Sequence, residues 1–192
     1  MQSNATNHEL AANEAAMRQH LDALFSPVSA EYPEGLLEIR AVDPEKSKAP
    51  RPRMFPVNAN GRAAAVEFAL RQNTEGFNVY VGLNPRIPGT NRNSAGTADD
   101  VEIAFFGAVD CDTATASEAL CRFVDDCEQP APSFLVLTGT VPSARLHSYW
   151  ALDGAIRNHT SREAIMRGLA ARFAGDAIHD APRILRLAGS IS

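Results

Sequence analysis

Between residues 8 and 25 the larger apolar residues Leu10, Met17, Leu21 and Leu24 fall seven, four and three positions apart, the spacing of one buried helical stripe. Asn7 stands where a cap for that helix is expected. Residues 35–42 (GLLEIRAV) read as a strand, and the basic, proline-rich SKAPRPR leads into a short apolar run at 54–57. A second helix is predicted over 61–72, closed by the turn around Gly76. The branched and aromatic FNVYVGL at 77–83 predicts a strand. It feeds NPRIPGTNRNSAGTADD, whose lack of apolar residues predicts that 86–100 is mobile, because ordering entropy there is not offset by burial. Farther on, 102–109 (EIAFFGAV) reads as a buried strand and 113–127 as a helix with Thr113 or Thr115 near its start. Residues 134–137 and 146–152 form hairpin arms across the turn GTVPSAR, 162–173 a last helix and 184–187 a short terminal strand.

Helices that follow several strands, together with at least one hairpin, predict an α+β fold: a mixed or antiparallel sheet covered on one face, with an N-terminal helical segment over 1–30. There is no internal repeat. The ending, directly after a strand-like run, is expected of a domain excised from a longer protein. The 192 residues allow one domain with a sizeable core.

Composition narrows the class further. No window approaches the roughly 18 consecutive apolar residues of a membrane span, and MQSNATNHEL lacks the basic and apolar regions of a secretory signal, so a cytoplasmic protein is expected. Cys111, Cys121 and Cys127 contain no CxxC pair; they indicate neither a disulfide framework nor a four-ligand zinc site and are expected to be buried or half-buried. A net charge of −5 argues against coating nucleic acid by bulk charge, yet it suits a domain that gathers carboxylates around a metal.

Three segments carry candidate chemistry. In AVDCD, Asp110 and Asp112 end an apolar strand, so both carboxylates face one way and Cys111 the other. Such a pair can share hard, oxygen-preferring cations, although by itself DxD is also an ordinary turn or helix-start feature. In VPSARLHSYWAL, strand alternation puts Arg145, His147 and Tyr149 on one face, a surface able to receive a triphosphate; Trp150 is expected in the core. In HDAPRILRLAGS, Asp180 precedes Arg183 and Arg186, either as a further metal ligand with phosphate-binding arginines or as a surface turn with arginine paired to aspartate.

In this order the segments resemble motifs I, II and III of the archaeo-eukaryotic primase superfamily, in particular the primase-polymerases of phages, plasmids and integrated elements that include RepB-like primase domains. NVYVGLNPR and ILRLAGSIS are similar to segments of the same group. The resemblance runs from about Leu36 to the end and implies an RRM-like catalytic core over 31–192. It implies that Asp110, Asp112 and Asp180 are catalytic carboxylates holding Mg2+ or Mn2+ in a two-metal site. It makes His147, with Arg145 and Arg183, the contacts to the incoming nucleotide, and Arg86 and Arg186 contacts to nucleic acid. Arg145 stands where the family's motif II usually has a small residue, and the zinc-binding insertion of some members has no counterpart.

The implied activity is template-directed nucleotidyl transfer: a 3′-hydroxyl attacks the α-phosphate of an NTP or dNTP and pyrophosphate leaves. The implied partners are single-stranded DNA template and a helicase domain or protein, in replication of a mobile element. Three rivals remain at this level. A nicking replication initiator would need a histidine pair and a tyrosine nucleophile, and the sequence has no HxH. A non-catalytic single-stranded-DNA-binding module would keep the fold without the reaction, and a metal hydrolase would use the same carboxylates to release monophosphates or nucleosides.

Overall fold

The computed structural model describes residues 11–127, 129–176 and 178–191. Among them lie four α-helices and seven strands, the predicted α+β fold, with the strands in two antiparallel sheets. The first sheet has the order β2-β1-β3-β7, with β1 Leu36–Val42, β2 Arg51–Pro56, β3 Asn78–Gly82 and β7 Ile184–Arg186. The second has the order β4-β6-β5, with β4 Ala104–Cys111, β5 Phe134–Gly139 and β6 Arg145–Ile156. The long β6 pairs with β4 on one side and the predicted hairpin arm β5 on the other. Each helix, α1 Glu14–Glu31, α2 Ala59–Thr74, α3 Ala114–Asp125 and α4 His159–Phe173, starts at a side chain that accepts a backbone N–H: Asn13, Asn58, Thr113 and Asn158.

Asn7 lies outside the described residues, and 11–13 are not helical; α1 begins at Glu14 because Asn13 Oδ1 accepts from Ala16 N at 3.0 Å. Its stripe of Met17, Leu21, Leu24, Phe25 and Val28 enters a core cluster shared with both sheets, including Ile39, Val79 and Val81 from the first and Phe106, Ala108 and Tyr149 from the second. Trp150 packs in a second cluster behind β4, stacked on Phe173 with ring centroids 5.6 Å apart. Cys111 is buried there, but Cys121 and Cys127 are exposed, contrary to the expectation for them.

Strand alternation gives the first sheet two unlike faces. Ile39, Ala41, Val79, Val81, Leu185 and Leu187 are buried on one. On the other, the register aligns Pro52, Arg40, Tyr80 and Arg186 in one row across all four strands, each of them half-buried.

The segment predicted to be mobile is fastened by hydrogen bonds instead of apolar burial. Arg86 and Leu36 exchange both backbone bonds (2.8 and 2.9 Å), Ile87 N donates to Asp100 O at 2.8 Å, and Met54 N donates to Arg92 O at 3.0 Å. Thr97 and Asp100 form a reciprocal cap, and Gly96 N donates to Glu38 Oε2 at 3.2 Å.

His20 on α1 is a buried imidazole whose Nδ1 accepts from Ala188 N at 3.1 Å. Burial, then the nearby His147, holds its pKa down at about 3. Between about 3 and the ordinary 6.5, the unfolded chain takes a proton that the folded chain refuses, so stability is present above that window and is lost as pH falls through it. We expect urea unfolding to show a loss of about 1–2 kcal/mol between pH 7 and pH 5 that is attributable to this group. His20→Asn, which retains an acceptor for Ala188 N–H, removes that part of the pH dependence; an unchanged profile would refute the assignment.

Candidate active site

The cleft is built where the end of β4 meets β6 and β7. Asp110 and Asp112 project from the last turn of the β4 pleat, while Cys111 between them is buried against Ala116, Leu120 and Phe123 of α3. Burial, followed by the charges of Asp110 and Asp112, pushes the Cys111 thiol up to about 12, so it is a packing residue. Antiparallel register places His147 opposite Asp110, with Nε2 3.3 Å from Oδ1.

The third carboxylate comes from the chain leaving α4. Ala174 ends that helix in the left-handed conformation at φ 51°. Gly175 then runs so close to β4 that an added Cβ would fall 2.8 Å from Asp110 O. This approach lets Asp176 N donate to Asp110 O at 2.8 Å. The effect is to bring ligand oxygens of Asp110, Asp112 and Asp176 within 4.8 Å of one another, the one such grouping among the described residues. Burial, then repulsion from Asp110, raises the Asp112 pKa. Asp110 Oδ1 is buried, with His147 Nε2 at 3.3 Å but no well-aligned hydrogen bond. A half-buried Asp110 clustered with the exposed Asp112 and Asp176, oxygens that repel one another, fits a hard divalent cation.

Facing them are cationic donors. Arg145, His147 and Arg186, with Tyr80 and Thr138, line a cleft of about 180 Å³ that also contains Asp110 and Asp112. Arg145 Nε, His147 Nδ1 and Arg186 Nη1 are buried and have no hydrogen-bond partner. The two guanidinium N–H groups, left unsatisfied in this way, are costly unless an anion meets them.

The sequence-derived site divides accordingly. Asp110, Asp112, His147, Arg145 and Arg186 converge. Asp180 stands outside the carboxylate grouping; it is half-exposed and accepts from Arg183 Nε at 2.8 Å, so these two form the surface pair that was the alternative reading, and neither lines the cleft. Arg86 requires a correction. It is wholly buried, donating to Glu38 Oε2 at 2.9 Å, Asn84 O at 2.8 Å and Pro182 O at 3.0 Å, which leaves no face for nucleic acid. Tyr149 shares the His147 face as predicted, but it is fully buried against Phe134, with ring centroids 4.4 Å apart. Sequence reading missed Asp176 and Tyr80. The available signals were the GD pair directly after the helical stripe and the polar alternation Asn78, Tyr80, Gly82 within FNVYVGL.

No protein-family model matches the chain, and no curated protein matches it in sequence. Solved structures do match. The AEP domain of the primase-polymerase (PrimPol) of cyanophage S-2L superposes with a TM-score of 0.64 at 19% identity, over 94% of this chain and 84% of that one. The catalytic domain of primase RepB′, in complex with initiator DNA, superposes with a TM-score of 0.55 at 19% identity, over 92% and 76%. Among the described residues no helix is long and apolar enough to cross a membrane. With a DxD strand end and a histidine-bearing hairpin lying side by side in one cleft, the chain has the fold of the archaeo-eukaryotic primase-polymerase catalytic domain.

Proposed function

We propose that this chain is a metal-dependent nucleotidyltransferase, the catalytic domain of a DNA primase-polymerase that joins NTP or dNTP to a primer 3′-hydroxyl or an initiating nucleotide on a single-stranded DNA template. The observation that carries this reading is a grouping of three carboxylates within one ion's reach, two of which, Asp110 and Asp112, line a cleft together with Arg145, His147 and Arg186, where Arg145 Nε, His147 Nδ1 and Arg186 Nη1 are buried without a partner. A nucleoside triphosphate needs both, since its oxygens are met by N–H donors and by a divalent cation.

Asp110, Asp112 and Asp176 would hold Mg2+ or Mn2+, which when bound neutralises charge at the phosphorus centre and lowers the cost of ionising the attacking hydroxyl. The protein's own residues do the rest. His147 turns Nε2 toward Asp110, and its Nδ1, when it carries a proton, donates to a phosphate oxygen. Arg145 and Arg186 supply planar donor forks for the triphosphate. Donors fixed in advance stabilise developing charge without reorganisation. A helicase, as a separate protein or a further domain, would supply the single strand during replication of a mobile element.

The test is incubation with a single-stranded template, labelled nucleotides and Mn2+ or Mg2+, with products resolved by length. The expected result is strand extension that chelation abolishes. His147→Ala is expected to weaken nucleotide binding first, with extension partly recovered at high nucleotide concentration. Release of monophosphates without extension, or a phosphotyrosine adduct, would overturn the proposal.

A further inference from the structure

We propose that Tyr149 and His20 are positioning residues for His147, a buried polar relay that runs inward from the cleft imidazole and fixes which of its nitrogens carries the proton. The role of His147 toward a nucleotide rests on the polymerase reading; the relay itself follows from strand alternation and burial. His147 and Tyr149 are alternate residues on one face of β6, opposite Asp110 and Ala108 of β4. His20 reaches the same face from α1, its ring T-shaped against Tyr149 at 5.5 Å and against Phe134 at 5.8 Å between centroids. All three residues are buried. Yet His147 Nδ1, Tyr149 Oη and His20 Nε2 each lack a hydrogen-bond partner, which gathers unpaired polar atoms into one patch directly behind the cleft.

The hydrogen-bonding senses of these groups match end to end. His20 Nδ1 accepts from Ala188 N at 3.1 Å, and burial, then the nearby His147, keeps the imidazole neutral. Its one ring proton is therefore on Nε2, which makes that atom a donor. The Tyr149 hydroxyl stays protonated, since burial and then the charge of Asp110 raise its pKa; it accepts on one side and donates on the other. At the outer end His147 Nε2 lies 3.3 Å from Asp110 Oδ1. A neutral ring that offers its proton to this carboxylate has Nδ1 as an acceptor. The relay thus runs from His20 Nε2–H to Tyr149 Oη–H to His147 Nδ1, and from His147 Nε2–H to Asp110. Its links close through a small shift of the side chains or through one shared buried water, and the sense is the same in both cases. Because buried polar groups are costly to leave unpaired, the relay favours the ring orientation that closes it. His147 is then oriented toward Asp110 before a triphosphate enters the cleft, and less ordering remains to oppose binding.

The experiment is imidazole-nitrogen NMR of histidine-labelled protein without metal or nucleotide, in mildly alkaline buffer where the rings are neutral; it reads each tautomer without any need for activity. The His147 signals are assigned by their loss in His147→Ala. In the parent, His147 and His20 are both expected with the proton on Nε2. Tyr149→Phe, which keeps the ring on Phe134 but removes the hydroxyl, is expected to turn His147 into a mixture of tautomers. His20→Asn, which keeps an acceptor for Ala188 N–H but removes the inward donor, should move His147 the same way by less. His20→Gln, whose amide retains a donor at the reach of Nε2, should leave His147 as in the parent. In strand extension, Tyr149→Phe is expected to raise the nucleotide KM about two- to tenfold, the range of one hydrogen bond, with kcat closer to the parent. An unchanged His147 signal in Tyr149→Phe, or a parent His147 with its proton on Nδ1, overturns the relay. Identical His147 signals in His20→Asn and His20→Gln remove His20 from it and overturn the inference as stated. A protein that shows the relay in its spectra but never extends a strand supports the inference and removes the polymerase reading.

Discussion

Asp176→Ala is expected to lower metal-dependent strand extension by about 100-fold or more, while Asp180→Ala stays within about threefold of the parent. The first figure exceeds the 10–100-fold in metal affinity or activity that follows loss of a group merely orienting a ligand, because Asp176 is one of three carboxylates within 4.8 Å of one another. The second follows from an exposed pair with Arg183, a contact of the kind that contributes about 0–1 kcal/mol. Asp110→Ala and Asp112→Ala should behave like Asp176→Ala. All three should bind single-stranded DNA as well as the parent or better, since negative charge leaves the cleft. Thermal melting supplies a readout independent of activity. Mn2+ at about a hundred times its Kd stabilises the parent by about 2.7 kcal/mol, and the increment should vanish in Asp176→Ala but persist in Asp180→Ala. The reverse ranking of the two aspartates would return the third-ligand role to Asp180.

Arg86→Ala is expected to destabilise the fold by about 3–5 kcal/mol, the range for removing one partner of a buried ion pair, a large part of the 5–15 kcal/mol that holds a typical domain together. The substitution takes from the buried Glu38 one of its two guanidinium partners, leaving it Arg40 and the Gly96 N–H, and strands the carbonyls of Asn84 and Pro182. Because Pro182 lies just ahead of β7, the change also loosens the strand that carries Arg186. Replacing both partners, as in Glu38→Leu with Arg86→Met, should recover much of the loss, since no buried carboxylate is then left alone. Urea titration of the two variants checks the pair of expectations. A stable Arg86→Ala protein with weakened DNA affinity would restore the nucleic-acid contact first expected of Arg86.

Much of this molecule was already written in local pattern. The continuous apolar run in EIAFFGAV, the alternation in FNVYVGL and the helical spacing after Thr113 place elements within a few residues of where they lie, because side-chain period and capping are properties of neighbouring residues. For the same reason Asp110 and Asp112 could be assigned one face and Cys111 the other. The motif order implied the catalytic-domain fold that the solved structures share. Position across the chain was another matter. Asp176 and Asp180 are four residues apart in one polar segment, and nothing local says which returns to β4; the choice is made by Ala174 in its left-handed turn and by the Gly175 backbone pressed against Asp110. Arg86, in a stretch rich in turn residues, read as an exposed cation. Its partners lie 48 and 96 residues away, a pairing that only folding brings about. The division into two sheets, and with it the row Arg40, Tyr80, Arg186, likewise depends on which strand edges meet. Sequence alone settled what each segment is and which way its side chains alternate, whereas tertiary structure decided which charges share a cleft, because a charge's role depends on neighbours that are distant along the chain.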